Sequence, residues 1–253
     1  MINYTINWER GFIAMINYIN SRTNQKVVHA ASLKEKKFIN EYKEFLIEGI
    51  KSLELALKAG RLKEVYTLKE LKLPYNIPQY LVTSEIIDKI SFSKNPEGVV
   101  GVCQTLDNVE PYKMDKVVYF DDIQDPGNMG TLIRTALAFN YDCIILSENC
   151  VSIYNPKVVA ASKGAIFSIP ILEGKLKDFI KGQTVVASML NKNTIPLEKV
   201  SKLSSFILVL GNEAHGISED VAKLADVYVK IPIDNIDSLN VAIAGGILMY
   251  HFK

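Results

Sequence analysis

Asp121-Asp122-Ile123-Gln124-Asp125-Pro126-Gly127-Asn128-Met129-Gly130-Thr131-Leu132-Ile133-Arg134-Thr135-Ala136-Leu137-Ala138-Phe139-Asn140 follows directly on the apolar run Val117–Phe120. The run reads as a strand. Asp125-Pro126-Gly127 breaks it as a turn. The helix that follows carries Arg134 as its only charge, among Leu132, Ile133, Ala136, Leu137, Ala138 and Phe139. A lone guanidinium on so apolar a helix is costly unless an anion or an acid meets it. Strand, tight turn and helix N-terminus form the place where α/β proteins present backbone N–H groups to phosphate or carboxylate ligands.

Outward from this stretch the same alternation continues. Apolar runs at Cys143–Leu146, Ile166–Ile169, Thr184–Ala187, Phe206–Leu210 and Val227–Ile231 are separated by helical segments, the last from about Leu239 to Phe252. Uninterrupted apolar strands between helices predict a parallel sheet covered on both faces. Toward the N-terminus, Asp107-Asn108-Val109-Glu110-Pro111-Tyr112 is polar and proline-broken, as linkers are. Before it lies a second α/β unit. Strands are expected at Phe45–Ile47, Val65–Leu68, Gln79–Thr83 and Val99–Cys103. Helices are expected at Trp8–Asn20, Leu33–Tyr42 and Glu48–Lys58, and at Glu85–Ile90 behind a Ser84 cap.

Two further segments carry candidate chemistry. Phe206–Leu210 runs into Gly211-Asn212-Glu213-Ala214-His215-Gly216, a glycine at a strand's carboxyl end where a cofactor would lie. No Lys-Ser/Thr follows, so it is not a Walker loop, and it lacks the dinucleotide glycine fingerprint. Glu213 is the natural partner for Arg134. Plain turn roles compete for Gly211 and Gly216, and His215 reads as a loop residue. The third segment runs from Ile231-Pro232-Ile233 through the acidic Asp234–Asp237 loop to Ser238-Leu239-Asn240 and Gly245-Gly246. Ser238 reads as a helix cap. Asn240, entering an uncharged helix, needs partners for its amide. Structural roles compete here too, with Asn128 as an N-cap and Arg134 as partner to a core acid.

The totals narrow the class. The 253 residues carry a net charge of +1 and no global basic field. Arg22–Lys72, however, holds 12 Lys/Arg against 7 Glu and no Asp, a local bias that suits RNA or consists of solvated helix faces. Cys103, Cys143 and Cys150 lack metal spacing and read as reduced, cytosolic thiols, and the three histidines are scattered. No metal site, signal peptide or membrane span is expected, and a cytoplasmic location follows.

Asp-Pro-Gly-Asn-Met-Gly-Thr-Leu-Ile-Arg, Gly-Asn-Glu-Ala-His-Gly-Ile and Ile-Pro-Ile…Ser-Leu-Asn-Val-Ala, in that order, closely resemble the three signature motifs of the SpoU family. These are RNA ribose 2′-O-methyltransferases of the SPOUT superfamily. The resemblance spans residues 116–253. Asn24–Val28, Phe45–Gly49 and Pro96–Val102 are more weakly similar to the family's L30e-like substrate-binding domain. The expected layout is therefore an extension at 1–20, an L30e-like α/β domain at 21–106, a linker at 107–115 and a SPOUT methyltransferase domain at 116–253. The resemblance implies a C-terminal trefoil knot, which runs against the general prior on knots. It also implies a homodimer, an active site drawing on both subunits, and S-adenosyl-L-methionine held by Ser188, Met189, Leu210, Gly211, Ile231 and Leu239. Arg134 resembles the catalytic arginine, with Glu213 holding it and Asn128, Ser238 and Asn240 orienting the ribose. The Arg134 guanidinium is already protonated and has no acceptor site for the hydroxyl proton, so a clamp on the neighbouring phosphate is the preferred role.

Lys163 stands where the family pattern has a small residue, and the Asp234–Asp237 loop is acidic for an RNA path. Both bear on substrate preference. The substrate implied is RNA, 23S ribosomal RNA ahead of transfer RNA. A catalytically silent RNA-binding homologue and a nucleotide-dependent α/β enzyme of another kind are the competing readings.

Overall fold

The computed structural model describes residues 16–74, 76–106, 111–189 and 194–253. The chain packs as two units, Met1–Leu106 and Asp107–Lys253, each built on its own sheet.

In the N-terminal unit, β1 (Ile16–Ile19), β2 (Glu44–Glu48), β3 (Leu62–Thr67), β4 (Gln79–Val82) and β5 (Val99–Gln104) form a mixed sheet in the order β1-β4-β3-β5-β2. β1 and β3 run parallel to β4, while β5 is antiparallel to β3 and β2. Helices α1 (Gln25–Ser32), α2 (Lys36–Tyr42), α3 (Ile50–Lys58) and α4 (Ser84–Ile90) complete it. Val27, Ala30 and Leu33 of the α1 region and Ile86, Ile87 and Ile90 of α4 bury against Leu46, Tyr66, Tyr80, Val100 and Val102. The five larger of these helix residues, all but Ala30, contribute roughly 10 kcal/mol, at about 2 kcal/mol each.

Three expectations need correction here. The end of the Trp8–Asn20 segment is strand β1, not helix, and Trp8–Met15 lies outside the described residues. Ile-Asn-Tyr-Ile suits a pleated edge, and the open side of β4 accepts it as a parallel strand. The Leu33–Tyr42 helix is cut at its start. Leu33 instead closes α1, a helix the sequence reading missed although Asn24 caps it by accepting from Lys26 N at 2.9 Å. Ser84 is already helical, with Thr83 at the N-cap position.

In the C-terminal unit every strand pair is parallel. The strands β6 (Lys116–Phe120), β7 (Cys143–Leu146), β8 (Ile171–Glu173), β9 (Thr184–Ser188), β10 (Ile195–Pro196), β11 (Phe206–Leu210) and β12 (Val227–Lys230) lie in the order β10-β12-β9-β11-β6-β7-β8. The interior strands β7 and β11 are buried along their whole length, which is why they read as unbroken apolar runs. Helices α5 (Pro126–Ala138), α6 (Pro156–Ser162), α7 (Glu219–Ala222) and α8 (Val241–His251) follow the strands. Gly130 lets α5 and α6 touch: a Cβ there would stand 2.5 Å from Ala161 Cβ and 2.7 Å from Val158 O. Gly245 plays the same part for α8 against Leu132 and Leu210, whereas Gly246 has open space beside it.

The strand expected at Ile166–Ile169 is instead a 3-10 turn, Ala165–Phe167. Ile166 and Ile169 are buried, so their hydropathy signals packing without pairing. Pairing with β7 starts only at the Pro170 carbonyl, which accepts from Ile144 N at 3.0 Å. The family pattern's small-residue position, Lys163, adopts the left-handed conformation (φ 51°) at the end of α6 and is exposed.

Candidate active site

Parallel strands bring their carboxyl ends to one edge, and ligands of open α/β sheets bind outside that edge. Here the residues just past β9, β11 and β12 enclose a cavity of about 430 Å³. Ser188 and Met189, Leu210 and Gly211, and Lys230 and Ile231 supply three sides. Ser238, Leu239, Val241 and Ala244 supply the fourth, from the segment that enters α8. The cavity is within the range of about 300–1,000 Å³ usual for small-molecule sites. The sequence-selected residues Ser188, Met189, Leu210, Gly211, Ile231 and Leu239 all line it.

Gly211 is required by a close approach of backbone. A Cβ there would stand 2.3 Å from Gly216 C and 2.4 Å from Ile217 N. The chain folds back on itself at this point: Asn212 N donates to Gly216 O and Gly216 N to Asn212 O, each at 2.9 Å. Gly216 has φ +71°, which only glycine adopts without strain. The Asn212 side chain builds the turn from within. Its Oδ1 accepts from Ala214 N (2.8 Å) and His215 N (3.2 Å), an Asx turn. Its Nδ2 donates to Asp122 O at 2.7 Å. A second fastening comes from Asp121, 3% exposed at the end of β6, whose Oδ2 accepts from Ser218 N at 2.7 Å. Burial pushes the Asp121 carboxyl above the usual aspartate value, and the Ser218 hydrogen bond offsets part of that. Sequence reading passed over both residues. The available signal was the Asn in Gly-Asn-Glu, a turn former two residues before the backbone N–H it binds.

A hydrogen-bonded chain of three side chains stands beside this loop. Asn128 Nδ2 donates to Glu213 Oε1, and Asn240 Nδ2 donates to Asn128 Oδ1, both at 3.0 Å. Asn128 and Asn240 are each placed by a helix start, and Glu213 by the Asn212–Gly216 turn. Asp125 caps α5 by accepting from Asn128 N (2.8 Å), with Pro126 at the first helical position. Asn240 caps α8 by accepting from Ala242 N (2.9 Å) and Ile243 N (3.3 Å). So the caps are Asp125 and Asn240, not Asn128 and Ser238, and Ser238 stands exposed on the cavity wall. An amide offers two donors and two lone pairs. The chain thus leaves one N–H each on Asn128 and Asn240 and one oxygen of Glu213 for a ligand.

Arg134 differs from its sequence-derived setting. It is exposed and, among the described residues, forms no ion pair; Glu213 meets Asn128 instead. Helix geometry explains this. Met129, Leu132, Ile133 and Ala136 make the buried stripe of α5, while Gly127, Thr131, Arg134 and Ala138 fall on the solvent side at helical spacing. Arg134 is six residues past Asn128, well round the helix from Glu213. The neighbouring α8 also turns apolar side chains outward: Ile243, Ile247 and Tyr250 are 57%, 40% and 58% exposed. Among the described residues there is no group of three His, Cys, Asp or Glu suited to a metal, and no helix long and apolar enough to cross a membrane.

A seven-stranded parallel sheet with a cofactor-sized cavity outside its carboxyl edge, flanked by a Glu–Asn–Asn chain, defines an α/β domain built to bind a small ligand. Residues 115–250 match the SpoU rRNA Methylase family and residues 24–101 the MRM3-like substrate binding domain. The chain belongs to the SpoU rRNA methylase family and is an S-adenosylmethionine-dependent RNA methyltransferase. A Bacillus subtilis relative, the 23S rRNA (guanosine(2553)-2′-O)-methyltransferase RlmP, is 30% identical over 93% of this chain and 98% of its own. The AdoMet-bound rRNA methyltransferase from Sinorhizobium meliloti superposes with a TM-score of 0.83 at 30% identity, covering 93% of this chain and 97% of that one. A putative RNA methyltransferase of the TrmH family from Porphyromonas gingivalis gives 0.81 at 28% identity, over 91% and 98% of the two chains.

Proposed function

We propose that the enzyme methylates a ribose 2′-hydroxyl of 23S ribosomal RNA in the cytoplasm. The observation that carries this is the Glu213–Asn128–Asn240 chain at the rim of the cofactor cavity. S-adenosylmethionine supplies an electrophilic methyl group when bound. The backbone around Leu210–Gly211, Ser188–Met189 and Ile231, with Leu239, would hold it, since the collapsed turn at Gly211 brings backbone rather than side chains to the cavity. The trefoil knot expected of this domain belongs to the same reading, because three of its loops meet at this cavity.

The chain's own residues then act by placement, which can supply roughly 7–11 kcal/mol of a two-reactant barrier. Asn128 and Asn240 would donate their remaining N–H groups to ribose oxygens, with Ser238 beside them. Glu213 would fix the Asn128 amide, a role that replaces the hold on Arg134. Arg134 would clamp the phosphate next to the attacked ribose and stabilise charge developing on its oxygen. The proton of the hydroxyl would leave to phosphate or water, because a guanidinium stays protonated.

Arg134 lies on an outward face of α5, and α8, which packs on α5, leaves Ile243, Ile247 and Tyr250 exposed. An isologous dimer across this face would bury those side chains and bring each Arg134 to the partner's cavity. The test is transfer of labelled methyl groups to 23S rRNA lacking the modification, with ribose and base products separated after digestion. Ribose 2′-O-methylation supports the reading, and base methylation refutes it.

A further inference from the structure

The N-terminal unit holds a second pocket, of about 300 Å³, lined by Gln25, Lys26, His29, Glu44, Lys63 and Glu64 with Val102 at its floor. Lys26 and His29 share one face of α1, three residues apart. Lys63 arrives by an irregularity. The β3–β5 register shifts between Leu62 and Glu64, so Leu62 pairs with Cys103 and Glu64 with Val102, leaving Lys63 as an extra residue. Such a bulge re-aims side chains and is common beside functional sites. Here it brings Lys63 to Glu44 of β2 while Glu64 meets Lys26 at 3.2 Å.

The carboxylates are already engaged. Glu44 receives Lys63 and His29 Nε2 (2.6 Å), and Glu64 receives Lys26 and Tyr66 OH (2.7 Å). Both acids are largely buried, with side chains 11% and 15% exposed, whereas Lys26 and Lys63 remain half-exposed at 50% and 51%. The acids therefore orient the lysines, and the lysines face solvent. Beside them is an aromatic ladder. Tyr42 stacks on Phe38 (5.9 Å, 9°) and tilts against His29 (4.6 Å), and Lys37 stands over Phe38. Tyr42 is 41% exposed. Aromatic faces interleaved with lysines form the usual platform for single-stranded nucleic acid.

We propose that this pocket receives one unpaired nucleotide of the substrate RNA, its base on the Tyr42–His29 platform and its flanking phosphates on Lys26 and Lys63. The proposal rests on the RNA-methyltransferase reading and adds where the N-terminal unit grips the substrate. An unpaired nucleotide is required because base faces are inaccessible within an A-form duplex.

The test uses the full-length protein and a short fluorescein-labelled single-stranded RNA, with binding followed by anisotropy across a salt series. Removing either lysine alone would strand a largely buried acid, so the charge variant is Lys26→Gln/Lys63→Gln/Glu44→Gln/Glu64→Gln. Each phosphate contact to a single strand contributes about 0.7 to the log–log salt slope, so this variant should lower the slope by about 1.4. Tyr42→Ala leaves the ion-pair network in place and should weaken binding about 5-fold or more at unchanged slope. S-adenosylmethionine affinity should hold in both. Equal affinity and slope in both folded variants, or equal binding of the corresponding duplex, overturns the proposal while leaving the enzyme assignment intact. Failure of the wild-type protein to bind any RNA would instead strike at the assignment itself.

Discussion

Replacing Gly211 with alanine should selectively damage cofactor binding. The added Cβ would lie 2.3 Å from Gly216 C, 2.4 Å from Ile217 N and 2.5 Å from Gly216 O, against 3.4 Å or more for ordinary contact. All three are backbone atoms, so no side chain can swing away, and the strands of the turn must part by about 1 Å. That separation breaks the reciprocal Asn212–Gly216 hydrogen bonds, now 2.9 Å each. At about 1 kcal/mol net per bond, the turn loses about 2 kcal/mol. If the bound state needs the closed turn, affinity falls about 30-fold. Isothermal titration with S-adenosylmethionine reads this directly, with circular dichroism as the check on folding. A folded Gly211→Ala protein that binds within about twofold of wild type would refute the claim that the collapsed turn shapes the cavity.

Other outcomes follow from the same geometry. Gly246→Ala, in α8 with nothing within 4 Å of the new methyl, should stabilise the protein by about 1 kcal/mol in urea unfolding. Asn240→Ala removes the α8 cap and a partner of Asn128, so it should cost about 1 kcal/mol of stability and lower kcat more than it changes cofactor affinity. Arg134→Ala should abolish methyl transfer while leaving the calorimetric S-adenosylmethionine titration nearly unchanged, since Arg134 does not line the cavity. Glu44 supplies a pH dependence. Burial raises its carboxyl pKa, but the Lys63 and His29 hydrogen bonds outweigh that and hold it below the usual glutamate range. A depressed folded-state pKa stabilises above the unfolded value and loses that contribution as pH falls through the folded one. Thermal unfolding of wild type should therefore weaken below about pH 4.5 more steeply than that of Glu44→Gln.

The parallel sheet was legible because β7 and β11 are buried on both faces and so carry unbroken apolar runs. Where burial and pairing separate, hydropathy misled: Ile166 and Ile169 are core residues of a turn. β1 was unreadable for the opposite reason, since its identity depends on β4, which lies 63 residues further along the chain. At the site, the second and third motifs located most of the cavity wall, but spacing alone could not assign partners. Glu213 was matched to Arg134 on charge, yet the rotation of α5 turns Asn128 toward Glu213 and Arg134 toward solvent. Asp121 stayed hidden because the backbone N–H it binds lies 97 residues away; Asn212 has a local turn signal, but its bond to Asp122 O spans 90 residues.

The most direct test of the central claim is to isolate 23S rRNA from cells with and without the gene and map ribose 2′-O-methylation by resistance to alkaline cleavage. One protected linkage should vanish without the protein, return with the wild-type chain and stay absent with Arg134→Ala. Identical protection in cells lacking the protein, or its full restoration by Arg134→Ala, would contradict that claim.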